Sequence, residues 1–474
     1  MASRPRRIAL KPDFQVSRIA SQSLASPVNM FAEMQSGKGA FPLHGHPGCI
    51  ERMSLNGPIR GQETIDGVHY VVAGGSLYRV SGVLSTVLGS VAGSGPVQIV
   101  PNRFEVAVVA SPRLYVLDRA TEAFSEVTTT DDNGFRGCTW MCVLNGIGVF
   151  GEPGGDRYNV TGINAFSSIN PTGVATAESR SDPLVAGVVA SGVLYLMGTD
   201  TVELYDNAPS VDSPFARTLV IDIGAVSRET VRVIGSEVFF VGSVPSGSLR
   251  QVGVFKLRGG SPVKVSTPPV DRMLEACGGN IGQATSVVWG IDGHVFYRVN
   301  TPAGSVEFDL TTELWTRVAS GVWGMDAEPA PCTLTSYARV DGVGCFGDAT
   351  GRLLDVSFDA HDVGEDTLVR EFTCPVTGDL GAETIVDEVE LYCETGVGAI
   401  GRDPVVYESH SKDGGHSWSQ PRAGTVQKVG RYGRRVYWDR LGTAADWIFR
   451  FRMTDASPFK VTGVMAFVEA GLRP

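Results

Sequence analysis

One pattern limits what this chain can fold into. A short apolar run, a Gly or Asp turn and a second run with an aromatic near its middle recur from about residue 60 to about 355. Copies are GGSLYRV ending at Val80, SPRLYVL ending at Leu117, LNGIGVF ending at Phe150 and ASGVLYLM ending at Met197. GSEVFFVG around Phe239, IDGHVFYRV around Phe296 and VDGVGCFG around Cys345 continue the series. Their centres recur roughly every 33 to 57 residues, a spacing that suits one four-stranded blade each. In GSVEFDLTTELWTRV, from Gly304, the residues Phe308, Leu310 and Trp315 alternate with polar positions around a turn, so period two rules. No segment carries a long 3.6-residue apolar stripe, and the best helix candidate, PPVDRMLEACG from Pro268, is short. The expectation is an all-β chain, most simply a β-propeller of six or seven blades. A pair of β-sandwiches also gives strands and turns at short intervals and is the competing arrangement.

The pattern changes after SFDAHDVGEDTLVREF, where the strands lengthen into IVDEVELYCETG, DPVVYESHSKDGGHSW, RRVYWDRLG and DWIFRFRMTD. Alternation in WIFRFRM puts Phe449 and Phe451 on one face and Arg450 and Arg452 on the other. The chain therefore divides into an extended N-terminal arm over 1–60, a propeller over 61–358 and a β-sandwich domain over 359–474.

Composition supports this reading. Hydrophobic residues make up 43% and charged ones 19% of 474 residues, and 58 are Gly, as in a globular protein of short strands and tight turns. A net charge of -11 argues against gripping nucleic acid through a basic surface. The start, MASRPRRIALKPDF, has no apolar core of a signal peptide, and the run VAGVVASGVLYLMG at 185–198 is too short to span a bilayer. Eight scattered cysteines without a CxxC pair read as buried free thiols.

One motif invites an enzymatic reading. SKDGGHSW at 411–418 has the Ser-x-Asp-x-Gly-x-x-Trp spacing of an Asp-box turn, in which Ser411 and Asp413 bond the backbone, Gly415 accepts a positive φ and Trp418 packs beneath. A sialidase-like enzyme needs several boxes, an arginine triad, a Tyr nucleophile and an acidic partner. Here there is one box, and the late arginines, Arg431 to Arg452, pair with no such set, so the four residues are assigned as a structural turn and the arginines as a solvated or interface-facing strand face. His44, His46 and Cys49 spell H-x-H-x-x-C without a second ligand pair, and the Pro47-Gly48 turn explains them without a metal. TDDNGF at 130–135 is half a calcium loop whose last ligand position falls on Cys142. Asn159-Val160-Thr161 is a formal glycosylation sequon. With no nucleophile elbow, zincin or Walker sequence, no catalytic residue, metal or cofactor is assigned.

SPVNMFAE at 26–33, the Pro-Gly of HPGC, NGPIRG at 56–61, AESRSDPLVAG at 177–187, TVELYDN at 201–207 and the Arg-rich stretch 431–452 resemble the packaged-DNA stabilisation proteins, the tail-hub or nozzle proteins of short-tailed bacteriophages. That resemblance implies a virion tail component assembled in the host cytoplasm as a ring of copies, a homohexamer. The ring would sit below the portal and its tail adaptor, close the channel on packaged DNA, and dock tail spikes or fibres and a needle or plug. DNA would pass its lumen without specific binding. The alternatives are a hydrolase acting on host surface polysaccharide and a glycan-binding tail protein using Trp418 or Trp447 as stacking platforms.

Overall fold

Five hairpin turns pair a residue at positive φ with a following Gly also at positive φ: Asp66-Gly67, Asn145-Gly146, Ser191-Gly192, Asp292-Gly293 and Asp341-Gly342. Turns of this form match the right-handed twist of the strands they join. In the computed structural model they open blades one, three, four, six and seven of a seven-bladed propeller. The structure describes all residues except 1–3, 9, 11–12, 15–25, 35–40, 130–133, 170–172, 174, 178–181, 208–213, 247–248, 325–326, 377–382, 398–402, 427–428, 434 and 471–474.

Blade one runs Ile59–Ile65, Val68–Ala73, Ser76–Ser81, Leu84–Ser90, each strand antiparallel to the last. Blades two, three and four repeat this over 98–126, 141–169 and 184–221. Blade five is irregular: its inner strand is split into Gly224–Ala225 and Arg232–Ile234, with a 3-10 turn between them. The short helix Pro268–Ala276 follows it, burying Val270 and Leu274 between blades five and six. Blade six spans 285–318. The seventh takes Leu334–Val340, Val343–Asp348 and Arg352–Ser357, and its outer strand is Gly48–Ser54 from the other end of the chain. Inner strands contact one another around the whole ring, including the closing step from blade seven to blade one.

Each blade is covered on both faces, which explains why its middle strands read as continuous apolar runs rather than alternating ones. Val106 to Ala110 are buried without a break. One buried cluster lies between each neighbouring pair of blades. Val108 and Val72 share the first, and Tyr78, Val340 and Cys345 share the one that closes the ring. The seven runs noted in the sequence fall one to a blade. In blades one and two the run lies on the third strand, and in the other five on the second.

The C-terminal domain is a sandwich. One sheet orders Arg370–Pro375, Ile448–Met453, Val405–Ser411, Arg422–Thr425. The other orders Met30–Ala32, Leu43–Gly45, Lys460–Ala470, Thr384–Cys393, Val436–Ala444, with Arg4–Ile8 also on Lys460–Ala470. Phe372, Phe449, Phe451, Trp438 and Trp447 dominate the core between them. The first 60 residues, expected as an extended arm ahead of the first blade, thus supply three strands to the sandwich and one to the propeller.

Candidate functional site

The Asp-box turn joins Val405–Ser411 to Arg422–Thr425 on the sandwich. Ser411 Oγ accepts from Gly415 N at 2.7 Å and donates to Asp413 Oδ1 at 2.7 Å. Asp413 also accepts from the Ser417 hydroxyl and from Ser417 N at 2.8 Å. These donors hold its carboxyl well below the usual range. Gly415 sits at φ 101°. Trp418 is half-buried and lies beneath the Arg450 guanidinium, 3.6 Å from its ring centre. Every polar atom named here serves the turn itself.

The other sequence candidates separate in space. His44 Nε2 lies 2.9 Å from Glu33, and His46 Nε2 lies 3.2 Å from Glu307 on blade six. Cys49 is buried in the core between blades six and seven, where burial pushes its thiol up to about 12. Among the described residues no group of three His, Cys, Asp or Glu side chains is placed to hold a metal. Asn159 of the sequon is fully buried. Asp131, Asp132 and Asn133 of the half calcium loop lie outside the described residues. Trp447 is buried, with its indole N–H on Thr384 O at 3.0 Å, so it offers no face to a sugar.

The arginine face of WIFRFRM is not a solvated one, because it turns inward. Arg452 is buried, pairs with Glu371 at 2.6 Å, donates to Trp323 O at 2.9 Å and lies over the Trp323 ring. Sandwich and propeller meet here, and residues 27–29 run between them. Val28 bridges Arg317 on blade six and Glu371 on the sandwich. Asn29, at φ 53°, donates to Ala319 O at 3.0 Å and Val369 O at 2.8 Å and accepts from Ala319 N at 2.9 Å. Arg370 is also buried and donates to the carbonyls of His46 and His361, and loss of solvent pulls it down to about 10. His46 is enclosed beside Glu307 and Arg298, and burial lowers it to about 4. Spacing alone pointed to none of these contacts; those of Asn29 and the Arg370–His46 bond join residues about 300 apart.

Two of the cavities among the described residues are large enough to bear on function. One, about 500 Å³, lies among the inner strands of blades one, two, five, six and seven and is lined by Gln62, Glu63, Gln98, Glu229 and Arg232. Glu63 is open to this cavity, and burial by the surrounding walls raises its carboxyl. The other, about 260 Å³, lies at the junction and is lined by His44, His46, His294, His361 and Arg370.

Among the described residues, neither the cavities nor the sandwich arranges a nucleophile with a base. The nearest approach is Ser419, His410 and Glu408, where Ser419 Oγ at 3.4 Å and Glu408 Oε1 at 2.9 Å address the same ring nitrogen, Nδ1. A relay needs one partner on each nitrogen, so this set orients the imidazole and moves no proton.

Sequence comparison accounts for a molecule built of joints. Residues 16–353 match the family described as bacteriophage P22 Gp10, beta-propeller, and residues 369–469 match bacteriophage P22 Gp10, beta-sandwich. The chain belongs to the bacteriophage P22 Gp10 family. That is the DNA-stabilisation tail protein family, and the chain is a structural protein of the phage tail. The segments that carried the resemblance hold structural joints of this P22 Gp10 family member: Asn29 joins the two domains, Gly48 starts the closing strand, and Arg60 donates to the carbonyls of Gly74, Val91, Ala92 and Gly95. Asp182 accepts from Asp200 N and Thr201 N, and Glu203 accepts from the Tyr205 hydroxyl.

A search of curated proteins gives no match. Similar solved structures include the extracellular domain of a putative hybrid two-component system from B. thetaiotaomicron, at 8% identity and TM-score 0.44, covering 76% of this chain and 44% of that one. They also include the Neurospora crassa Pan2 WD40 domain (11%, TM-score 0.40, 65% and 94%) and the computationally designed Ika8 protein (12%, TM-score 0.39, 65% and 99%). The chain spans less than half the length of the first of these.

Proposed function

We propose that the chain is the hub or nozzle subunit of a short phage tail. Copies form a ring, a hexamer, below the portal and its adaptor, which closes the channel on packaged DNA and docks spikes or fibres and a needle or plug. Family membership places it in the tail, and one structural observation carries the rest: Gly48–Ser54 closes the propeller ring, Arg4–Ile8 pairs with Lys460–Ala470 in the sandwich, and residues 27–29 join the two domains. A stopper under load from confined DNA needs that rigidity and needs no chemistry. The net charge of -11 fits a lumen along which DNA slides, because like charge suppresses phosphate contacts. The buried Trp447 and the Arg450-covered Trp418 speak against a sugar platform on those rings.

The test uses virions assembled without the protein and measures how much full-length DNA stays in purified heads. Heads that pack and then leak support the reading. Heads that keep their DNA and fail only to adsorb overturn it.

A further inference from the structure

Arg370 is 1% exposed, yet its cation lacks a counter-charge in contact: among the described residues no carboxylate pairs with it, and Asp362 acts on it only at a distance. Burying an unpaired charge is costly, so proteins surround such a group with acceptors. Arg60 shows a complete surround. It too is buried, and it donates to four carbonyls at 2.7 to 3.1 Å. Arg370 is held less well. Of its contacts only the one to His361 O, at 2.8 Å, has ordinary length, while those to His46 O and Leu368 O stretch to between 3.3 and 3.5 Å.

This guanidinium lines the 260 Å³ cavity at the junction, and the remaining lining is biased to one sign. Four of the chain's seven histidines share it with Lys460, which concentrates most of the protein's imidazole in one place. Burial lowers His44, His46 and His361, and their cationic neighbours add to it: Arg370 and Lys460 act on His361, Lys460 and His294 on His44, and Arg298 and Arg370 on His46. The nearby carboxylates are engaged or lie at the rim. Glu33 pairs with His44 at 2.9 Å, Asp309 with His294 at 2.8 Å and Glu307 with Arg298 at 2.8 Å. Glu394 meets Lys460 in an exposed pair, Asp292 is exposed in its hairpin turn, and Asp359 and Asp362 flank His361 from the chain on either side. A metal is not what this set suits, since among the described residues no three such groups are placed to hold one.

We propose that the junction cavity binds a small oxyanion of the sulfate or phosphate type, held by Arg370, Lys460, His44 and His361, and that the anion ties the sandwich to blade six, which contributes His294. Phe31 and Phe459 wall the cavity, so charge-assisted hydrogen bonds inside it count for more than in water. It has room for a tetrahedral anion with several waters, at roughly 30 Å³ each, and no room for a nucleic acid strand. The proposal is independent of the ring reading above.

Sulfate is the probe, because its charge stays fixed over the range in which histidine titrates. Calorimetric titration of the full chain, at constant ionic strength balanced with chloride, is expected to show saturable one-site binding. Affinity should tighten about tenfold from about pH 7.5 to about pH 5.5, with protons taken up, because the anion favours charged His44 and His361. His361→Gln and Lys460→Gln both change side chains that reach solvent, and each should weaken binding about tenfold while the melting midpoint in chloride stays put. His361→Gln should also flatten the pH profile. Arg370→Gln should abolish binding, and if that variant misfolds the other two still decide. Lack of saturable binding overturns the site, as does binding that the His361 and Lys460 variants leave intact. Stabilisation that climbs with sulfate without saturating, equally in every variant, is exclusion of the salt from the surface and overturns it too. Displacement of sulfate by a short single-stranded DNA would mean an open phosphate-binding face in place of an enclosed site, and counts against the proposal in the same way.

Discussion

Blades one to six each fold from one continuous stretch, while blade seven and the larger sandwich sheet are built from both ends of the chain. The first group holds its contacts within some 40 residues; Gly48–Ser54 reaches its partner about 300 residues on, and Arg4–Ile8 reaches further still. Architecture and core are the same in kind, but the cost of closing the loops differs. Stability of the whole therefore hangs on a few joints near residue 50 and not on the blades that make up most of the mass.

Removing residues 1–54 breaks the comparison hardest. Blade seven loses its outer strand and the sandwich loses three, so no cooperative melting transition is expected to survive at 37 °C by circular dichroism. A melting curve like that of the full chain would show that the ends are ornament. Next come single joints. Gly48→Ala drives a methyl into the backbone oxygens of Asp362 and Ala360, with nothing flexible to yield, and should cost about 3 kcal/mol or more in urea unfolding. Gly67→Ala, at φ 80° with open space around it, should cost only about 1 kcal/mol from backbone strain. Asn29→Ala removes three buried hydrogen bonds and should cost about 2–4 kcal/mol.

Acid sharpens the contrast less violently. His46 at the junction and His69 inside blade one are both lowered to about 4 by burial, against about 6.5 in the unfolded chain. Each adds stability that is complete above about pH 6.5 and is lost as pH falls toward 4, of order a few kcal/mol. Unfolding midpoints should drop across that window, and His46→Gln should flatten the curve. The smallest effect is expected from Asp413→Asn. Hydrogen exchange at Gly415 and Ser417 should quicken while the global midpoint stays put, since Asp413 serves one exposed turn.

This contrast also explains what the sequence shows. Hairpins such as Asp292-Gly293 and Asp341-Gly342 advertise themselves because turn residues and flanking runs lie side by side, and so the all-β character, the blade theme and the change of pattern near residue 360 are legible. The blade count stayed open between six and seven because the last blade has only three strands in its own neighbourhood. Arg450 and Arg452 read as a solvated or interface-facing strand because alternation tells sides apart but not what covers them; Trp418 and Trp323 do. Asn29 stood within a resemblance, yet only the fold shows it holding two domains at once.

Gly48–Ser54 has a final consequence, for the ribosome. At roughly 5–20 residues per second, about 15–60 s separate synthesis of this strand from synthesis of its partner, Arg352–Ser357. Throughout that interval six blades can form and stack, but the ring is an open arc whose first strand waits unpaired. Arg4–Ile8 waits longer, since its partner Lys460–Ala470 comes about 100 residues after Arg352–Ser357. Closure is therefore a late, single event: a nascent chain interrupted anywhere before residue 352 cannot complete the circle.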